Sequence, residues 1–178
     1  WGGDAYGTDG ATMADTGCGP TAMAMVASGF TGKDVSPEEM AALAQISGMR
    51  DDSGTNAAFI DMAAKAYGMN SLQTFSPSAN NIYESAMNGP TVLLGQNTNG
   101  ITNPFTDAGH YVVTDGVDSN GMVNVKDPRG AGYNRKYSVN DLANTTGTMW
   151  GFGGFGRKIK KAKDKVLGKL NGGYGVDR

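Results

Sequence analysis

The spacing of apolar residues changes at Pro90, and that change limits the fold more than any other feature of the chain. Before Pro90 they recur every three or four residues, as one face of a helix does. After it they fall into short unbroken runs, as buried strands do. Four helices are expected in the first half. One runs from about Gly19 to Phe30, with Pro20 in the first turn, where the missing N–H costs nothing, and Gly29 and Gly32 near the end. Ser36-Pro37-Glu38-Glu39 starts a second, ending near Ile46: an N-cap, Pro at the first helical position, and acids at the positive end of the dipole. A third is expected from Thr55 to Tyr67 and a fourth from Ser78 to Met87. Beyond Pro90, Thr91 to Gly95, His110 to Val117 and Gly121 to Lys126 read as strands, the last two joined by the turn Asp118-Ser119-Asn120-Gly121. Tyr133 to Tyr137 is expected as a further strand and Val139 to Asn144 as a short helix. Helices first and an antiparallel sheet second is an α+β layout.

A chain of 178 residues suits one domain with a real core. Its 28 glycines imply many turns, while 39% hydrophobic residues exclude wholesale disorder. No apolar run approaches the roughly 18 residues of a membrane span. The chain opens on Trp1 without a signal-peptide pattern and is expected to be a piece of a longer protein. Its charge is unevenly placed: residues 1–154 carry 7 basic and 15 acidic side chains, residues 155–178 carry 8 and 2. We therefore expect a domain over 1–154 and a basic amphipathic helical tail, or linker to a further domain, over 155–178. In that tail Ile159, Ala162, Val166, Leu167 and Leu170 keep helical spacing among lysines. Such a tail would contact an anionic surface or a neighbouring domain, and no nucleic-acid partner is expected.

One cysteine and one histidine narrow the chemistry. An internal disulfide is impossible, and a Cys- or His-rich zinc site cannot be assembled within one chain. The acids at Asp51-Asp52-Ser53-Gly54 do not follow a calcium-loop spacing, so neither metal nor cofactor is expected. Cys18 stands between a glycine-rich loop and the start of the first helix. The positive end of a helix dipole favours a thiolate at such a place, and Gly17 and Gly19 would leave the sulfur open. His110 heads an otherwise apolar strand. An imidazole paired with a thiol needs a carboxylate or amide to orient it. Asp127 follows 17 residues later, at the end of the returning hairpin strand; Asp115 and Asp118 compete for the role, although Asp118 reads as a turn residue.

These residues resemble a family. Gly17-Cys18-Gly19-Pro20-Thr21-Ala22-Met23-Ala24-Met25-Val26, Gly109-His110-Tyr111-Val112-Val113 and Val125-Lys126-Asp127-Pro128 are similar to the papain-like double-glycine leader peptidases. The likeness extends over about residues 1–154 and is greatest to secreted or phage-borne relatives that accompany cell-wall hydrolases. It implies a papain-like cysteine peptidase fold, with N-terminal helices packed on an antiparallel sheet. It also implies Cys18 as nucleophile, His110 as general base and acid, and Asp127 as orienter. Those peptidases carry a Gln six residues before the Cys, whose amide helps to bind the oxyanion; here the position is Thr12, a shorter donor.

The activity expected on this basis is hydrolysis of peptide bonds by a Cys-His-Asp mechanism. Peptidoglycan is the first expected substrate, in cell-wall degradation by a phage lysin or tail-associated domain. Such a protein would be extracellular, cell-wall-associated or virion-associated. Processing of a double-glycine leader peptide is the first alternative. A non-catalytic papain-like module in a larger assembly is the second.

Overall fold

The chain folds around the two kinds of segment that its apolar spacing separates. The structure is a computed structural model describing residues 1–8 and 10–153. The expected tail over 155–178 lies outside the described residues. The helices are α1 (Met13–Thr16), α2 (Cys18–Thr31), α3 (Pro37–Ile46), α4 (Ala58–Ala66), α5 (Ala79–Asn88) and α6 (Val139–Thr145). Where caps announce a helix, the structure agrees to within a residue or two. The Ser36 hydroxyl accepts the N–H of Glu39 and Pro37 opens α3, while Ser78 accepts from Asn81 at the start of α5. At the end of α2, Gly32 takes the left-handed conformation at φ 70°, which glycine adopts without a Cβ clash.

The strands are β1 (Arg50–Asp51), β2 (Gly54–Thr55), β3 (Asn70–Phe75), β4 (Thr91–Gly95), β5 (His110–Val117), β6 (Val123–Lys126), β7 (Arg135–Tyr137) and β8 (Thr146–Gly153). β1 and β2 make a small hairpin. The other six form one antiparallel sheet in the order β3-β8-β4-β5-β6-β7. Alternation along the central strands divides the core in two. Val92, Val113 and Trp150 join Met23, Val26, Phe59 and Ile60 in a cluster with α2, α3 and α4. Their neighbours Leu93, Val112 and Met149 join Ile82 of α5 and Leu142 of α6 in a second. The sheet is thus covered on both faces, and the expected α+β arrangement of N-terminal helices on an antiparallel sheet is the one observed.

Three expectations differ from the structure. The third helix begins at Ala58 rather than Thr55, because Gly54 and Thr55 pair with Asp51 and Arg50 instead. The strand expected from Tyr133 starts at Arg135, after a single 3-10 turn over Ala131–Tyr133. Two strands of the large sheet, β3 and β8, are not anticipated from the sequence, and neither is the β1–β2 hairpin. β8 is nevertheless interior to the sheet, and its buried Trp150 donates Nε1–H to Asp61 of α4 at 3.1 Å.

Candidate active site

The start of α2 is held by close contact. A Cβ on Gly17 would lie 2.4 Å from the carbonyl oxygen of Met13, and one on Gly19 would lie 2.8 Å from Cβ of Thr55. Both glycines flanking Cys18 are therefore required by packing of α2 against α1 and β2, while Cys18 itself lines the cleft. Thr55 is itself fixed, since its hydroxyl hydrogen-bonds Tyr6 at 2.7 Å and its carbonyl accepts from the Tyr111 hydroxyl at 3.3 Å. Cys18 is half-buried at the first position of α2. Its N–H is one of the first-turn donors that have no acceptor within their own helix.

His110 and Asp127 meet through strand register. Val113 pairs with Lys126 across β5 and β6, so Asp127, one residue further, falls opposite Val112. That residue lies on the same face as His110 and one alternate position along, a diagonal pair. His110 Nε2 is 2.9 Å from Asp127 Oδ1, with 6% of the histidine side chain and 1% of the aspartate side chain exposed. Cys18 lines the same cleft as His110, near enough to act on the charge of the ring. Burial opposes a charge on the ring, but the Asp127 carboxylate and Cys18 outweigh it and push the His110 pKa up to about 9. Burial likewise opposes the Asp127 charge; His110 and Arg129 outweigh it and hold the carboxyl well below the usual range. Asp115 and Asp118 do not enter the site. Asp118 closes the β5–β6 turn and pairs with Lys136, and Asp115 approaches Lys126.

The loop before His110 is built around a buried amide. Asn103 Nδ2 donates to Asn97 Oδ1 and to the carbonyl of Ala108, while its Oδ1 accepts the N–H groups of Phe105 and Thr106. Beyond Asp127 the chain folds back on it. The Arg129 side chain donates to both carboxylate oxygens and its backbone N–H to one of them. Neither Asn103 nor Arg129 is singled out by the sequence reading, since an amide before Pro and an Arg after Pro look like ordinary turn residues.

Cys18 and His110 share a cleft of about 770 Å³, with Met13, Asp15 and Trp1 on one side and Ala108, Gly109, Arg129 and Tyr133 on the other. Thr12 is not among the residues lining it. Its hydroxyl and its N–H both donate to Asp15 Oδ2, at 2.7 and 2.9 Å, where it caps α1. The expected use of Thr12 in place of the oxyanion Gln therefore does not match its placement. Among the described residues no group of three His, Cys, Asp or Glu side chains could hold a metal ion. No helix among them is long and apolar enough to cross a membrane.

A thiol at a helix start, sharing a cleft with a buried imidazole–carboxylate pair on helices packed against an antiparallel sheet, defines the class of papain-like cysteine peptidases. The profile of the Peptidase_C39 like family matches residues 7–152, and the chain belongs to that family. Among solved structures it is similar to the peptidase domain of Streptococcus ComA, a bifunctional ABC transporter of a quorum-sensing pathway. The identity is 20%, the TM-score 0.56, and the match covers 77% of this chain and 90% of that one. A double glycine motif protease from an AMS/PCAT transporter, solved with its leader peptide, is 19% identical at TM-score 0.53, over 76% and 82% of the two chains. The N-terminal C39-like domain of a toxin secretion ATP-binding protein from Vibrio parahaemolyticus is 14% identical at TM-score 0.51, over 76% and 94%. Likeness at these identities shows the fold. No curated protein matches the sequence.

Proposed function

We propose that the protein is a cysteine endopeptidase that cuts a peptide after a small residue, of the double-glycine leader kind, with Cys18 as nucleophile. The observation that carries this reading is the His110–Asp127 pair at 2.9 Å in the cleft that Cys18 also lines. In the mechanism, the thiolate of Cys18 attacks the peptide carbonyl and the His110 imidazolium protonates the leaving amine. Water, deprotonated by His110, then resolves the thioester. Asp127 keeps the ring turned toward the sulfur throughout. With Thr12 committed to Asp15, the oxyanion falls to first-turn backbone N–H groups of α2.

The leader-peptide substrate is favoured over peptidoglycan on two grounds. Family membership and the structural neighbours concern C39 peptidases, one of them solved with a leader peptide. The cleft beside Cys18 is also lined by small residues, Ala14, Gly17, Ala108 and Gly109, which suit glycine at the scissile bond. The cell-wall and phage-lysin expectation gains no support from either comparison.

The test is incubation of the protein with a synthetic peptide carrying an internal Gly-Gly, alongside its Gly-Gly→Val-Val counterpart, followed by mass spectrometry. Cleavage after the second glycine by wild type, absent with Cys18→Ala, supports the reading. Turnover retained by Cys18→Ala overturns the nucleophile, and release of peptidoglycan fragments without cleavage of the peptide overturns the substrate.

A further inference from the structure

The chain from Asp127 to Asn134 closes on itself. Asp127 donates its N–H to Asn134 Oδ1 at 2.9 Å, and its carbonyl accepts the N–H of Gly130 at 3.0 Å. Gly130 has φ 121°, a conformation L side chains rarely adopt, and it turns the chain into the 3-10 turn that carries Tyr133. The result is a guanidinium with two neighbours. On one side Arg129 Nε and Nη2 approach the two oxygens of Asp127 at 3.1 and 2.8 Å. On the other, its Cζ lies 4.2 Å from the centre of the Tyr133 ring. Asp127 Oδ1 thus receives His110, the Arg129 backbone N–H and Arg129 Nε, while Oδ2 receives Nη2.

A fork of two parallel donors fixes the plane of a carboxylate, which a point charge cannot do. The Asp127 plane in turn sets the direction of the His110 ring. Arg129 is one-third exposed and lines the cleft together with Pro128 and Tyr133, so it stands between solvent and the buried pair.

We propose that Arg129, stacked on Tyr133, is a positioning residue that clamps the Asp127 carboxylate and so holds the His110 ring toward Cys18. The clamp rests on the peptidase reading for its purpose but not for its detection. The groups acting on the ring are Asp127 and Cys18; Arg129 reaches it through Asp127, and Tyr137 of β7 lies near enough to Asp127 and Arg129 to interact with both.

The test uses the fact that the chain has one histidine. Its ring gives a single set of imidazole NMR signals, readable without any substrate. The variants are Arg129→Gln, which removes fork and charge, Arg129→Lys, which keeps the charge alone, and Tyr133→Leu, which removes the stack. With the clamp gone, the carboxylate leaves the ring plane and the His110 midpoint falls by about one pH unit in both Arg129 variants, and in the same direction but less in Tyr133→Leu. On a cleaved peptide, kcat falls about 10- to 100-fold with KM within about threefold, the scale of a misplaced catalytic group.

A guanidinium acting through charge alone predicts otherwise: the midpoint rises in Arg129→Gln and is restored in Arg129→Lys. Either that result or an unchanged midpoint overturns the clamp. Should wild type cleave no peptide, the peptidase reading fails while the titration still decides the clamp. Should all variants cleave as wild type does, the clamp alone fails. If Arg129→Gln does not fold, Arg129→Lys and Tyr133→Leu carry the same decision.

Discussion

Asp127 accepts a hydrogen bond from His110 and grips Arg129 with the same carboxylate, although its side chain is only 1% exposed. A carboxylate so enclosed stays charged because two partners share its negative charge. Removing the carboxylate leaves Arg129 and the ring without it. Asp127→Ala is therefore expected to lower kcat on the order of 10³-fold or more, the range for an orienting carboxylate. Asp127→Asn, which retains one acceptor oxygen, should fall between wild type and Asp127→Ala. Steady-state kinetics on the Gly-Gly peptide would decide, and a change under about tenfold for Asp127→Ala would remove Asp127 from the mechanism.

The same pair fixes a pH window for stability. His110 is raised from 6.5 to about 9, so its contribution is fully present below 6.5 and is lost as pH rises toward 9. Asp127 is lowered from 3.8, so its contribution is present above 3.8 and is lost as pH falls below it. The pair should therefore stabilise the fold most between about pH 4 and 6.5. Thermal unfolding of wild type and His110→Gln from pH 3 to 10 isolates the effect, because the other titrating groups cancel in the difference. A difference that grew between pH 6.5 and 9 would contradict the assignment. Turnover should also fall above about 9, where the ring no longer holds the proton for the leaving amine.

Most of the helices were legible because their ends are marked. Ser36-Pro37 and Ser78 cap α3 and α5 as their residue types require. β8 was not legible, and the reason is steric. Gly151 lies where a Cβ would be 2.6 Å from Ser85 Oγ, and Gly147 lies beneath the Gln96 side chain. These glycines admit neighbours from α5 and from the loop after β4, and they erase the alternation that marks a strand. β3 escaped for a different reason: as an edge strand it leaves Leu72 and Phe75 exposed, so no buried face shows in its pattern. In the site, Cys18 and His110 stand out as the one cysteine and the one histidine, whereas the choice of Asp127 over Asp115 and Asp118 depends on strand register, which brings Asp127 to His110. Position relative to Cys18 alone does not show that the Thr12 hydroxyl is taken by Asp15.

The glycine before the thiol gives a sharper prediction. Gly17 has an ordinary φ of −87°, so alanine is not strained there by backbone conformation. Its Cβ would still meet the Met13 carbonyl oxygen at 2.4 Å, a backbone atom that cannot swing aside. Gly17→Ala must part α1 from α2, at a cost of about 1–3 kcal/mol for overpacking. Because Cys18 is the next residue, it moves with the junction. We expect a lower melting temperature together with slower alkylation of Cys18 by iodoacetamide. Unchanged stability would show that the junction yields without cost.

Asn103 tests whether the loop before His110 is part of the machinery or only a connection. The residue is 3% exposed and its amide binds four groups, among them the buried N–H of Phe105 and the carbonyl of Ala108, two residues before the histidine. Asn103→Ala leaves these groups without their partner, and each such loss costs about 1–3 kcal/mol where water cannot replace it. Thr106 and Ala108 line the cleft, so slack in the loop changes both the cleft wall and the entry of β5. Asn103→Asp keeps the acceptor but sets a buried carboxylate oxygen against Asn97 Oδ1 and the Ala108 carbonyl, two acceptors, and should do no better than Asn103→Ala. We expect kcat/KM to fall about 10- to 100-fold in Asn103→Ala, with a disturbed His110 ring signal while the methyl signals of the core around Trp150 stay in place. A loss of stability with kcat/KM and the ring signal unchanged would reduce Asn103 to a structural role.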